Sequence, residues 1–362
     1  MEKIRRKNLA AEIKKAGLAG MLVCPSEELL FLTGFTPMMC ERFQGLFITA
    51  SGDCFYVCNL LYKGEIEHAY KGEIPTYTWM DGESMTAVMG EALAKHGLLG
   101  QMLGVNSSAQ AFNVLDIVQD CGVSFSNGLA VLEEARILKT AAEAEDLRRA
   151  ARIADDVFTQ ALSFIRPGLL EADISDFLQQ KMAEAGGAKT WSIVASGPNS
   201  SYPHYMGADR VIEEQDIIIL DFGCAYHGMY SDISRTVFVG HITDEQKKIY
   251  GIVREAQEAA ERVAINGAFI PDVDQAARGI IAAAGYQENF FNRVGHGIGY
   301  MIHEGPDIKK SNQRHLQPGM AFSIEPGIYL SGHFGIRIED IVLATIPGQE
   351  VLNHSSKEIF VL

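Results

Sequence analysis

Apolar residues recur at helical spacing after Thr140, at Leu147, Ala151, Ala154, Phe158, Ala161 and Ile165. The preceding Thr140-Ala141-Ala142-Glu143 has the form of a capping box, so a long helix is predicted to start there. Arg166-Pro167-Gly168 breaks it. Leu170, Ile174, Phe177 and Met182 then mark a second helix, which ends at Gly186-Gly187. A second helix pair is predicted over 244–264 and 271–284, with Gly285 as its terminator. Each pair is followed by runs with strand character. The first run is Asp216-Ile217-Ile218-Ile219-Leu220-Asp221-Phe222-Gly223, then Met229-Tyr230-Ser231-Asp232-Ile233-Ser234-Arg235-Thr236. The second is Ala321-Phe322-Ser323-Ile324-Glu325, returning through Ile336-Arg337-Ile338-Glu339-Asp340. The order helix, helix, hairpin therefore occurs twice, with the acids at nearly equal spacing, which predicts an internal duplication.

Upstream, the chain alternates helix and strand. A helix from about Lys3 to Gly17 precedes a strand at Gly20-Met21-Leu22-Val23-Cys24. Leu46-Phe47-Ile48-Thr49 and Cys54-Phe55-Tyr56-Val57 flank Ser51-Gly52-Asp53 as a hairpin, and 84–96 reads as a helix stopped by Gly97. An α/β domain over 1–128 followed by an α+β domain over 129–362 is expected, as the length of 362 residues also suggests.

Opposed residues in an antiparallel pair point the same way, with Cβ atoms about 5 Å apart. A turn centred on Tyr226-His227 would set Asp221 opposite Asp232; one centred on Gly332 would set Glu325 opposite Glu339. Acids held that close repel, and burying them uncompensated is costly. A cation resolves the conflict, and four acids suggest two. Taken singly, each acid has an ordinary structural use at a strand end or edge. The segment Gly295-His296-Gly297-Ile298-Gly299-Tyr300-Met301-Ile302-His303-Glu304 adds two imidazoles, the first between glycines that would let the backbone turn tightly.

Composition narrows the function classes. Hydrophobic content of 47% with 21% charged residues describes a globular chain without a membrane span. The net charge of −15 argues against a nucleic-acid partner. The charged start, Met1-Glu2-Lys3-Ile4-Arg5-Arg6-Lys7, lacks the apolar core of a signal peptide, so the cytoplasm is the expected location. None of the six cysteines forms a zinc-knuckle pattern, and all are expected to be reduced thiols.

The series Asp221, Asp232, His296, Glu325 and Glu339 resembles, in order and context, the five ligands of the pita-bread metallopeptidases. The likeness runs from Thr140 to Leu362 through Asp-Phe-Gly, Ser-Asp-Ile-Ser-Arg-Thr, Gly-His-Gly-Ile-Gly and Glu-Pro-Gly-Ile-Tyr. The separate amino-terminal domain is similar to that of prolidase and aminopeptidase P, and 195–204 looks most like the bacterial and archaeal prolidase branch. The resemblance implies two divalent ions per subunit, with Asp232 and Glu339 shared, Asp221 on one ion, and His296 with Glu325 on the other. Mn²⁺ or Co²⁺ come first, and Zn²⁺ or Fe²⁺ also suit the ligands. It implies hydrolysis of Xaa-Pro bonds in small peptides by a hydroxide bridging the ions. Glu325 matches the proton acceptor, His303 the histidine that steadies the carbonyl oxygen, and His204 the one near the leaving nitrogen. Arg337 shares the strand face of Glu339 and has two readings, orienting a carboxylate ligand or binding a substrate carboxylate. Aminopeptidase P carries a further histidine where this chain has Asn292, which puts a prolidase-type dipeptidase ahead of an aminopeptidase P. Creatinase and a non-catalytic pita-bread scaffold are more distant readings, since both lack the full ligand set. A homodimer is also implied by the resemblance.

Overall fold

The computed structural model describes residues 2–362. It divides into two compact units, the first ending at Arg136 and the second spanning Ile137–Leu362. The first contains α1 (Glu2–Lys15), β1 (Gly20–Val23), α2 (Glu27–Thr33), β2 (Gln44–Thr49), β3 (Cys54–Asn59) and α3 (Lys63–Ala69). It continues with β4 (Thr76–Trp79), α4 (Met85–Lys95), β5 (Met102–Val105), α5 (Ala111–Cys121), β6 (Ser124–Asn127) and α6 (Leu129–Arg136). Its six-stranded sheet has the order β4-β3-β2-β1-β5-β6, with the expected β2–β3 hairpin turning at Gly52. The unit runs past the expected boundary at residue 128, because α6 packs against α1 instead of opening the second unit.

The second unit opens with the capping box as predicted. The Thr140 hydroxyl accepts the Glu143 N–H at 3.3 Å, and the Glu143 carboxylate accepts the Thr140 N–H at 2.9 Å. Two helices follow, α7 (Ala141–Phe164) and α8 (Glu171–Glu184). The strands β7 (Ala188–Ser196), β8 (Ile217–Tyr226), β9 (Met229–Tyr230) and β10 (Ile233–Phe238) then form a sheet ordered β10-β8-β7, with β9 against β8. The helix pair α9 (Asp244–Val263) and α10 (Ile270–Ala283) begins the second round. It leads to β11 (Gly295–Gly297), β12 (Glu304–Ile308), β13 (Ala321–Ile324), β14 (Gly327–Leu330), β15 (Phe334–Arg337), β16 (Asp340–Ala344) and β17 (Gln349–Val351). These make a sheet ordered β12-β11-β13-β16-β17, and β14 and β15 pair separately. The repeated order of elements is the predicted one, in a pita-bread arrangement. Phe158, Ala161, Ile174 and Leu178 of the first helix pair pack on Leu220, Phe222 and Ile233, while Ile249, Val253, Val273 and Ala277 of the second pack on Phe322, Ile324 and Val342.

The two hairpins answer the register expectations differently. In the first, the turn is His227-Gly228, both with positive φ (48° and 89°). Glycine takes that conformation freely, and a two-residue turn of this kind matches the twist of the strands. Tyr226 thus pairs with Met229, and Asp221 comes opposite Ser234, not Asp232. The correction is a slip of two residues, and side chains alternate with period two, so both acids keep the predicted face. The second hairpin does turn about Gly332, and the pairs Tyr329–Gly335 and Ile324–Asp340 share one register. Glu325 and Glu339 fall where its ladder is interrupted, beside Pro326, which has no N–H to give. Their own N–H groups bond elsewhere, Glu325 to the Val294 carbonyl (2.7 Å) and Glu339 to the Ser234 carbonyl (3.0 Å). The second contact ties one hairpin to the other.

Arg235 fastens that junction. Fully buried, its guanidinium donates to the carbonyls of Glu339 (2.6 Å), Ser234 (3.0 Å) and Ser355 (2.8 Å) and pairs with Asp340 (2.6 Å). All six cysteines are free, and among the described residues no helix is long and apolar enough to cross a membrane. Removing Arg235 would leave Asp340 with Lys357 as its remaining cation and take the donor from three carbonyls, and breaking such a buried pair costs about 3–5 kcal/mol. Arg235→Met is expected to destabilise the second unit by about that amount, read from urea unfolding of Trp191 fluorescence. A loss below about 1 kcal/mol would show that the junction does not depend on this cation.

Candidate metal centre

Asp221 and Glu339 each reach the site with one oxygen held and the other left over. Asp221 is gripped through Oδ2 by Arg337 Nη2, and its Oδ1 has no partner. Glu339 accepts the Ser234 hydroxyl on Oε2 at 2.9 Å, and its Oε1 has none. Asp232, in the break between β9 and β10, also keeps an unpartnered Oδ1. Glu325 Oε1 accepts the Ser323 hydroxyl at 3.2 Å. Asp221, Asp232 and Glu339 are buried, and burying an ionised carboxylate without a partner is strongly unfavourable.

His296 completes the group. Its glycine neighbours do not serve a tight turn, as expected from the sequence, but close approach of adjacent strands. A Cβ at Gly295 would lie 1.9 Å from the Ser323 carbonyl oxygen, and one at Gly297 would lie 2.1 Å from that of Gly305. The ring sits 3.0 Å through Nδ1 from the Gly297 carbonyl, which assigns the proton to Nδ1 and leaves the Nε2 lone pair for the acids' side. Nε2 lies 3.3 Å from Glu325 and 3.7 Å from Asp232. Asp232, His296 and Glu339 each offer one atom within 4.8 Å of the others. Burial drives the imidazole well below its ordinary pKa, so it is neutral, the form that ligates. Burial and the neighbouring acids Glu339 and Asp221 push Asp232 well above the carboxylate range; Glu339 is raised the same way, with Glu325 and Asp221 as its neighbours. Burial pushes Glu325 up to about 7, with Arg337 opposing. Unpartnered buried oxygens around a neutral imidazole fit a divalent cation, and an oxygen-rich donor set with one nitrogen suits a hard or borderline ion.

These groups line a cavity of about 390 Å³ that also contains His204 and His303. The His303 ring stands edge-on to His296, centroids 4.2 Å apart. Its pKa is lowered by burial on that side and by the charges of Arg293 and His204. Trp191, Ile193, Met206 and Ile302 supply an apolar wall. Sequence reasoning missed that wall because it comes from β7 and from irregular segments without a periodic pattern. It also missed Ser234 and Ser323, although each lies two residues along the chain from an acid and was open to inference. Of the two readings for Arg337, the geometry favours the first. It is buried, and its nitrogens donate to Asp221, the Ser234 hydroxyl (2.8 Å), the Tyr329 hydroxyl (2.8 Å) and the Pro203 carbonyl (3.1 Å). Tyr329, on the same face, thus holds the arginine. His227, His333 and His315 are exposed and lie outside the cavity.

The acid shifts have a sign that can be tested. A carboxyl group whose folded pKa is raised contributes stability below its unfolded value, and that contribution is lost as pH climbs through the folded value. For Glu325 the window runs from 4.5 to about 7. The metal-free protein should therefore lose stability across it, and a divalent ion should restore it while displacing protons. Calorimetric titration with Mn²⁺ in buffers of different ionisation enthalpy should detect proton release at about pH 6. Binding without proton release at that pH would contradict the crowded-acid picture.

Comparison with known proteins agrees with this geometry. The model of metallopeptidase family M24 matches residues 145–345, and that of the creatinase/prolidase N-terminal domain matches residues 5–161. The chain is 34% identical to the probable dipeptidase PepE of Mycobacterium bovis over 364 residues, covering 98% of this chain and 94% of the relative. It is 34% identical to the Xaa-Pro dipeptidase of Lactobacillus delbrueckii subsp. lactis, with 92% of each covered. The crystal structure of recombinant prolidase from Thermococcus sibiricus superposes with a TM-score of 0.93 at 34% identity, covering 100% of this chain and 99% of that one. Three buried acids beside Glu325, a neutral imidazole and these matches along nearly the whole chain lead to one conclusion: the protein is a metallopeptidase of family M24 carrying a creatinase/prolidase-type amino-terminal domain.

Proposed function

We propose that this chain is an Xaa-Pro dipeptidase working with two divalent ions. The observation that carries the reading is the set of unpartnered carboxylate oxygens on Asp221, Asp232 and Glu339, beside His296 and Glu325 in one small cavity. Relatives named as an Xaa-Pro dipeptidase and a prolidase support the substrate class. Asp232 and Glu339 would be shared between the ions, Asp221 would serve one, and His296 with Glu325 the other. Four carboxylates balance the charge of two such ions, with Mn²⁺ or Co²⁺ favoured and Zn²⁺ or Fe²⁺ compatible. Bound there, the ions would supply an acidified water and a Lewis acid for the scissile carbonyl.

The chain's own groups divide the remaining work. Glu325, with its pKa near neutrality, accepts the proton of the attacking water. Neutral His303 donates an N–H to the carbonyl oxygen as negative charge develops on it. His204, which also lines the cavity, serves the leaving nitrogen, which must gain a proton as the bond breaks. Arg337 holds Asp221 in place through Oδ2 and frees Oδ1 for a cation. A homodimer in the cytoplasm, acting on small proline-containing peptides and on neither nucleic acid nor membrane, accords with this reading.

Asp232→Ala and Glu339→Ala are each expected to abolish metal retention and turnover together, measured by elemental analysis and proline release. His303→Ala should keep its metal and lose about 10²–10³ in kcat; loss of metal in that variant would show the role misassigned. Leu-Pro should be cleaved in preference to Leu-Pro-Ala in a side-by-side assay. Equal or better cleavage of the tripeptide would favour an aminopeptidase P activity.

A further inference from the structure

His303 sits in a segment that lies outside the sheet ladder. Glu304 of β12 pairs with Gly297 of β11, so residues 298–303 cross between the two strands. The start of the crossing is tied down, since the Gly299 carbonyl accepts the Tyr230 N–H at 2.8 Å. Tyr300 and Ile302 rest on the apolar cluster that includes Ala144 and Leu147 of α7. The His303 ring has no hydrogen-bond partner among the described residues, and its close neighbour is the edge-on His296 ring. Its place in the cleft is therefore set largely by the main chain beside it.

Glu304, the next residue, is where that main chain is fastened. Its Oε1 pairs with Lys139 Nζ and its Oε2 accepts the Met301 N–H at 3.3 Å, so one carboxylate binds both the segment and a cation outside it. Lys139 stands ahead of α7 and is itself fixed. Its N–H donates to the Gly319 carbonyl at 2.7 Å, and the Gly319 N–H donates to the Ala344 carbonyl at 2.9 Å. Gly299 leaves the room for the pair, because a Cβ there would lie 2.6 Å from both Glu304 Oε1 and Lys139 Cε. The Lys139 and Glu304 side chains are 2% and 1% exposed, and neither residue lines the metal cavity. A pair buried so fully costs desolvation, and removing one partner leaves the other charge uncompensated. What the pair supplies here is a fixed point directly beside His303.

We propose that Lys139 is a positioning residue: through Glu304 it fixes the segment that presents His303 to the scissile carbonyl. The assignment rests on the dipeptidase reading above, in which His303 donates to the carbonyl oxygen. The competing role is purely architectural, a buried ion pair that stabilises the fold without setting the histidine.

The test is a double-mutant cycle on the Mn²⁺-loaded enzyme with Leu-Pro, joining Lys139→Met to His303→Ala. Lys139→Met should keep its metal by elemental analysis and lower kcat by about tenfold to a hundredfold, with KM changed less than about threefold. In the His303→Ala background the same substitution should lower kcat by less than about threefold. Lys139→Met/Glu304→Gln removes both charges, keeps an acceptor for the Met301 N–H, and carries the cycle where Lys139→Met fails to fold. It should regain the wild-type thermal midpoint and not the wild-type kcat. Hydrogen exchange should quicken over 298–304 in either variant and stay at the wild-type rate over 321–325. Loss of metal, an equal kcat loss with and without His303, recovery of kcat together with the thermal midpoint, or unchanged exchange over 298–304 would each overturn the proposal. Should the wild type leave Leu-Pro uncut, the dipeptidase reading falls, and exchange alone decides whether Lys139 fixes the segment.

Discussion

Mutual repulsion among buried carboxylates is the constraint around which the second unit is arranged. Asp221, Asp232, Glu325 and Glu339 occupy one cleft, and two of them have their pKa values pushed far above the ordinary range by burial and by each other. A hydrophobic core would not tolerate that. The surroundings hold the acids only in part: Arg337 and Ser234 bind one oxygen of Asp221 and of Glu339 and leave the other without a partner, and Ser323 donates to Glu325. Three buried oxygens without partners are a standing energetic debt, and a divalent cation is the simplest ligand that removes it.

The strand architecture makes the crowding possible. Glu325 and Glu339 sit where a single hairpin register passes from one sheet to a separate strand pair, so their N–H groups reach out to Val294 and Ser234. Those contacts bring β11, with His296, and β10, beside Asp232, to the same place. Arg235 then pins the carbonyls of Ser234 and Glu339 together from behind. These acids, spread over more than a hundred residues, converge because backbone hydrogen bonds and the side chains of Arg235, Thr236 and Arg337 join the two halves.

Much of this was legible in the chain. The capping box at Thr140, the helix-stopping Gly285 and the period-two acids in each hairpin are local signals, and local signals survive without knowledge of the neighbours. The slip in the first hairpin shows the limit. Tyr226-His227 and His227-Gly228 are adjacent candidate turns, and the choice between them depends on which residues accept positive φ. Side-chain alternation made the error harmless to the site, since a two-residue slip returns every side chain to its face. The glycines around His296 were recognised for the wrong reason, because a close approach of another strand leaves no trace in the sequence beyond the glycine itself.

The amino-acid sequence by itself determined the helix pairs, the paired acids, the two histidines and the family they resemble, because spacing along a chain and face along a strand are local properties. Only the tertiary structure decided which oxygens are held and which are free, and that Arg337 is committed to Asp221. Those outcomes depend on which distant groups meet and on how much water is excluded when they do. Hydrogen-bond geometry and burial belong to the folded molecule, and no segment read alone contains them.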